Sequence, residues 1–134
     1  MTEIDDIIEL KTYTKTEKLS FKTRYLVQIN FTFDLAVFSN GFCGTSHFCV
    51  RRDEIEKLCN DLSKISSSLE GTTKLEDNDS DAFVEFLIET NGNLIVSGQV
   101  GGTHENHFVK FNFQTDQTCI DSFVQDFKSL LNKY

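Results

Sequence analysis

The sequence predicts an α+β fold: a mostly antiparallel sheet with two amphipathic helices packed on it, ordered as a β-rich half, a helix, a second β-rich half and a C-terminal helix. Three observations predict it. Apolar residues alternate with polar ones at Phe21, Tyr25, Val27, Ile29, Phe31 and Phe33, a period of two that turns one face to a core. Two other stretches carry apolar residues every three or four positions, Ile55, Leu58, Cys59, Leu62, Ile65 and Leu69, then Ile120, Phe123, Val124, Phe127, Leu130 and Leu131. Turn chemistry separates the runs at Ser39-Asn40-Gly41 and Thr90-Asn91-Gly92-Asn93.

In chain order, Ile4 to Leu10 reads as a short edge strand and Thr12 to Lys18 as a turn or loop. From Leu19 the alternation runs on through Leu35 and Val37, predicting one long strand. After the turn at Asn40-Gly41, Phe42 to Val50 returns antiparallel, and Gly44 inside it signals a bulge or a close backbone approach. A helix follows over Arg52 to Leu69, opened by Asp53 and Glu54 where the helix dipole favours acidic side chains. It ends in Ser66-Ser67-Ser68 or at Gly71. The acidic stretch around Glu76, Asp77, Asp79 and Asp81 reads as a solvated loop.

Phe83 to Glu89 and Leu94 to Val100 form a hairpin whose Asn91-Gly92 suits a type I′ turn. Gly101, Gly102 and His104 to His107 make a further turn, Val109 to Phe113 a strand, and Thr118 to Asn132 the second helix, capped by Asp116 or Thr118. The two helices align at an offset of 65 residues, Ile55 on Ile120 and Leu62 on Phe127. Any two amphipathic helices share such spacing, and the strands show no convincing match, so the correspondence reads as common amphipathicity rather than duplication.

The 134 residues fit a single domain spanning 1–134. With 13 Lys+Arg against 21 Asp+Glu, the net charge of −8 argues against direct nucleic-acid binding, which depends on cations that displace counterions. No leader peptide or membrane-spanning run is legible, so the expectation is a cytoplasmic protein with no membrane contact. The 13 Phe supply most of the bulk for a core.

Chemistry is sparse. Cys43, Cys49, Cys59 and Cys119 contain no C-x-x-C pair and read as reduced, core-type residues. Cys43, His47, Cys49 and Cys59 fit no zinc spacing, and no metal or cofactor is expected. His47, His104 and His107 have no neighbour in sequence that completes a nucleophile, base and orienter, and the His104–His107 stretch reads as exposed polar turn. Glu85 and Glu89 stand ~13 Å apart along an extended strand, too wide for paired-carboxylate hydrolysis. No catalytic residue is assigned.

The landmarks Gly41-Phe42-x-Gly44, Phe48-x-Val50, Asp53-x-Ile55-x-x-Leu58-x-x-Asp61-Leu62, Val96-x-Gly98, Phe111-x-Phe113 and Asp116-Gln117-Thr118-x-Ile120-x-x-Phe123 occur in an order that resembles the WapI-like immunity proteins of bacterial polymorphic-toxin systems. The resemblance spans roughly Tyr25 to Leu131. It implies a non-enzymatic immunity protein that binds and neutralises the C-terminal domain of a cognate toxin. The resemblance further implies that many such effectors are nucleases; nuclease surfaces are often basic, with which an acidic protein is consistent. The expected partner-binding residues, inferred from charge and exposure, are Asp77, Asp79, Asp81, Glu85 and Glu89. The competing reading is a structural or adaptor domain unrelated to toxins.

Overall fold

The computed structural model describes residues 2–134. Nine strands and two helices occur in the order β1 (Thr2–Glu3), β2 (Ile7–Leu10), β3 (Glu17–Val27), β4 (Asn30–Ser39), β5 (Phe42–Arg51), α1 (Arg52–Ser68), β6 (Gly71–Glu76), β7 (Phe83–Ile88), β8 (Asn93–Val100), β9 (Val109–Asp116), a 3-10 turn (Gln117–Cys119) and α2 (Ile120–Lys133). The fold is α+β with two antiparallel sheets. In sheet 1 the order is β3-β4-β5, with β1 and β2 following one another along the outer edge of β3. Sheet 2 is the meander β6-β7-β8-β9.

The long strand expected over Leu19 to Val37 is instead a hairpin, β3 and β4, turned at Gln28-Ile29 with Gln28 at φ 55°. A two-residue turn sets Val27 opposite Asn30, odd against even, which by itself would face the two alternations oppositely. A register shift between Thr23 and Tyr25 corrects this, so that Phe21 pairs with Leu35 and both point inward. Val27 and Ile29 therefore stand exposed at the hairpin tip rather than in the core.

Asn40 (φ 50°) and Gly41 (φ 87°) make the predicted turn into β5. Gly44 marks a close approach, not a bulge: a Cβ there would lie 3.0 Å from Val109 Cγ2 of sheet 2, where the sheets meet. In α1 the Glu54 carboxylate accepts the Arg51 backbone N–H at 2.9 Å, one arm of a capping box. The helix stops at Leu69, whose φ of 56° takes the left-handed role expected of a glycine.

Strand β6 is not evident in the sequence pattern. Its Gly71-Thr72-Thr73-Lys74 is polar, and only Thr73 and Leu75 turn inward. The Asn91-Gly92 hairpin also differs from a type I′ turn. Only Gly92 has positive φ (86°), and its N–H donates to the Glu89 carbonyl at 2.9 Å, a type I turn closed by a left-handed glycine.

One hydrophobic cluster joins both sheets and both helices. Phe21 of β3 meets Phe33 and Phe48 edge-on in sheet 1, with Phe127 of α2 at 5.4 Å between ring centroids. Phe123 lies between the sheets, 6.1 Å from Phe21 and 5.7 Å from Phe86. Such offset and edge-to-face pairs each contribute ~0.5–1.5 kcal/mol beyond burial.

The 65-residue correspondence extends past the helices. It carries β2 (7–10) into β6, β3 (17–27) over β7, β5 (42–51) over β9, and α1 (52–68) onto the 3-10 turn and α2 (117–133). The buried pairs agree, Leu10 with Leu75, Leu19 with Val84, Phe21 with Phe86, and Phe48 with Phe113. The fold is thus two ββββα units, matching the expected order of a β-rich half and a helix taken twice, and the strands correspond although the sequence showed no convincing match between them. The strand match was obscured because the β3–β4 hairpin has a tight turn and a bulge, whereas β7–β8 has a longer turn and no bulge.

Candidate functional site

The acidic loop between β6 and β7 is stitched to sheet 1. Asp77 is only 8% exposed, and its carboxylate accepts the Cys49 N–H (2.9 Å), the Asp79 N–H (3.1 Å) and the Ser80 hydroxyl (2.6 Å). The Asn78 N–H donates to the Cys49 carbonyl at 2.9 Å, and its side chain donates to Glu54. This loop thereby satisfies backbone groups at the edge of β5 that would otherwise lie open.

Asp81 joins the loop to the turn after β8. It accepts the Thr103 N–H (2.9 Å), the Thr103 hydroxyl (2.6 Å) and Gln99 Nε2 (3.1 Å), while the Gly101 N–H donates to the Ser46 hydroxyl (2.9 Å). The hydrogen bonds from Thr103, hydroxyl first and backbone second, hold the Asp81 carboxyl below its ordinary range. A carboxylate whose folded pKa lies below its unfolded one, ~3.9, stabilises the fold above that pH, and the contribution is lost as pH falls through the lowered value. Acid unfolding of the wild type and of Asp81→Asn is expected to show this: below the ordinary carboxylate range the wild type loses stability more steeply, and the two curves converge.

Between the two loops and β5 lies a cleft of about 560 Å³ lined by Asp34, Ser46, His47, Asp79, Gly101 and Glu105 among others. Asp79 and Glu105 are exposed at its rim. Asp34 sits opposite His47 in the β4–β5 ladder, with Arg24 at 3.1 Å and His47 Nε2 at 3.6 Å from its carboxylate. Apart from His47, the lining carries no basic side chain, so the cleft presents negative charge.

The five residues expected to bind a partner separate into three places. Asp77, Asp79 and Asp81 share the stitched loop, but only Asp79 directs an unengaged carboxylate outward. Glu85 lies on the outer face of sheet 2, between Lys74 and Ser97. Glu89 lies beyond the end of β7, at the hairpin turn. Asp34 and Glu105, which the sequence reading did not single out, join Asp79 across the cleft. Nothing local marks Asp34, which reads as one more polar residue of an alternating strand. Its place at the cleft comes from strand pairing.

The other chemical candidates stand apart. Cys43 and His47 project from the outer face of β5, whereas Cys59 is buried on α1, so the four residues weighed as a metal set do not converge. Cys43 is exposed, not core-type as expected, because it shares the outward face with Thr45 and His47. Burial pushes the Cys59 thiol up to about 11 and raises that of Cys49, keeping both protonated and poorly nucleophilic near neutrality. His104 and His107 lie exposed on the turn.

Removing the Asp77 carboxylate strands the Cys49 N–H in a partly buried position. Asp77→Ala is therefore expected to cost about 2–3 kcal/mol in denaturant unfolding, whereas Asp79→Ala, at the exposed rim, stays within ~0.5 kcal/mol.

By class, the fold and the cleft describe an acidic α+β domain with an open, negatively charged cleft. The sequence model of the immunity protein WapI-like family matches residues 6–134, nearly the full chain, and the protein belongs to that family. Its function is accordingly one of immunity. Comparison with curated proteins finds no match. Among the described residues no helix is long and apolar enough to cross a membrane.

Proposed function

We propose that the protein acts in the cytoplasm as a single non-catalytic domain that binds the C-terminal effector domain of a cognate toxin and masks it stoichiometrically. Family membership carries the reading. The acidic cleft supports it further: Asp79, Glu105 and Asp34 offer carboxylates to Lys or Arg side chains of the toxin, with Asp77 and Asp81 holding the loop that presents Asp79. Glu85 and Glu89 add negative charge on the outer face and at the turn of sheet 2. A nuclease effector suits this surface, since a basic substrate-binding face would meet complementary charge, which accelerates encounter and helps select the partner.

The test is co-purification and titration with the effector domain of the toxin made in the same cell, beside a survival assay. A one-to-one complex that protects the cell is expected. Asp79→Lys with Glu105→Lys should weaken binding at least ~10-fold and flatten its salt dependence, because the charges lie at an exposed rim where steering dominates. A toxin that neither binds nor is neutralised would overturn the proposal; a complex indifferent to the charge reversal would remove the cleft from it.

A further inference from the structure

Sheets expose backbone at their edges, and here the outer edge of β3 and the Cys49 end of β5 are covered by bonded chain. The outer edge of β3 is covered by β1 and β2, which are two and four residues long. Beside β5, Asp77 and Asn78 take the Cys49 N–H and carbonyl. β6 is six residues long and packs beside α1, the Thr73 hydroxyl donating to the Asp61 carboxylate at 3.0 Å. The fourth edge, β9, is eight residues long, pairs with β8 without a bulge, contains no proline, and among the described residues has no strand or loop bonded to its outer side.

The side chains along β9 are suited to a copy of itself. Phe111 and Phe113 turn into the core, while Lys110, Asn112, Gln114 and Asp116 stand exposed on the outer face. In an antiparallel pair of identical strands, the face of each residue is kept only if even positions oppose even ones. A two-fold axis at Phe113 meets this condition. It sets Asn112 opposite Gln114 of the second copy and Lys110 opposite Asp116 of the second copy, each pair occurring twice. Lys110 makes no ion pair among the described residues.

Two exposed rings flank the strand. Tyr13 and Phe42 are each 73% exposed. Tyr13 stands at one end of β9, its hydroxyl 2.7 Å from Thr118 Oγ1. Phe42 stands toward the other end, in a groove of about 220 Å³ between the Asn40 turn and Val109, Lys110, Phe111 and Asn112 of β9. The two-fold operation brings the Thr118 end of one copy beside the Val109 end of the other.

We propose that the chain forms a two-fold dimer by antiparallel pairing of β9 with β9 of a second copy, joining the two four-stranded sheets into one of eight strands. The interface is isologous, with Lys110–Asp116 contacts at both ends fixing its register.

Sedimentation velocity of the full chain over a wide concentration range tests it, with expected monomer–dimer exchange. Lys110→Glu, an exposed change that opposes like charges twice, should weaken the dimer at least ~10-fold. In a Cys43→Ser background, mild oxidation of an equal mixture of Asn112→Cys and Gln114→Cys proteins should yield the mixed disulfide dimer faster than either protein alone yields its own. Far-UV circular dichroism confirms that the variants fold. A protein that remains monomeric at every concentration overturns the proposal. So does a dimer insensitive to Lys110→Glu whose mixed cysteine variants do not cross-link preferentially.

Discussion

Replacing Phe123 by alanine is expected to lower the unfolding free energy by about 3–5 kcal/mol, a large share of the roughly 5–15 kcal/mol typical of a domain. The residue is fully buried, and its ring contacts Phe21 of sheet 1, Phe86 of sheet 2 and Phe127 one helical turn away, the last at 5.0 Å edge-on. These neighbours sit on three separate elements, each held by its own hydrogen bonds. They cannot close onto the void without shifting a sheet, so the cavity penalty adds to the lost transfer energy. Urea titration measures it, and an unchanged slope with a lowered midpoint identifies a loss of stability rather than a change in the unfolded state. Phe108→Ala, at an exposed ring, serves as the comparison and should change stability by no more than ~0.5 kcal/mol.

Gly98→Ala is expected to destabilise by about 3 kcal/mol, the upper end of the range for overpacking. A Cβ at this position of β8 would fall 2.1 Å from the Phe83 carbonyl oxygen and 3.1 Å from Val84 Cα, backbone atoms of the neighbouring strand that cannot rotate away. The strands must separate or the pairing of Val84 with Gly98 must break. Gly41→Ala tests the distinction between crowding and backbone conformation. At φ 87° with no atom within 4 Å of the added methyl, that change carries only the conformational strain, ~1 kcal/mol. Thermal unfolding ranks the two, and hydrogen exchange in the Gly98 variant should show faster exchange of the β7 and β8 amides.

Wherever a long pattern repeats without interruption, the fold was legible. The stripes of Ile55 to Ile65 and Ile120 to Leu130 place both helices within a residue or two of their observed bounds, because a helix buries one face whatever lies against it. The turn at Asn40-Gly41 was legible because few residues take positive φ readily. Gln28 takes it without such a signal, held between two strands whose register the Thr23–Tyr25 bulge restores, and so the first hairpin was not legible. β6 escaped for a related reason. Its Thr73 and Leu75 gain a buried face only once β7 lies alongside.

The candidate site was legible only in part. Charge marked the loop from Asp77 to Asp81, but its side chains divide by hydrogen bonding: buried Asp77 holds Cys49 and Ser80, exposed Asp81 is tied to Thr103, and Asp79 faces out unengaged. Asp34 and Glu105 lie 45 and 26 residues from Asp79 in sequence, and no local pattern relates them.

By itself the sequence determined the α+β class, two helices with their buried faces, one major turn, an acidic surface and a resemblance to the immunity family that the family match bears out. These are local or summed properties, set by spacing, conformational preference and charge. Only the tertiary structure decided that each half holds its strands in its own sheet, that no chain is bonded along the outer side of β9 among the described residues, and which carboxylates share a cleft. Those outcomes depend on which strand lies beside which, and pairing energy is distributed over contacts between residues far apart in the chain.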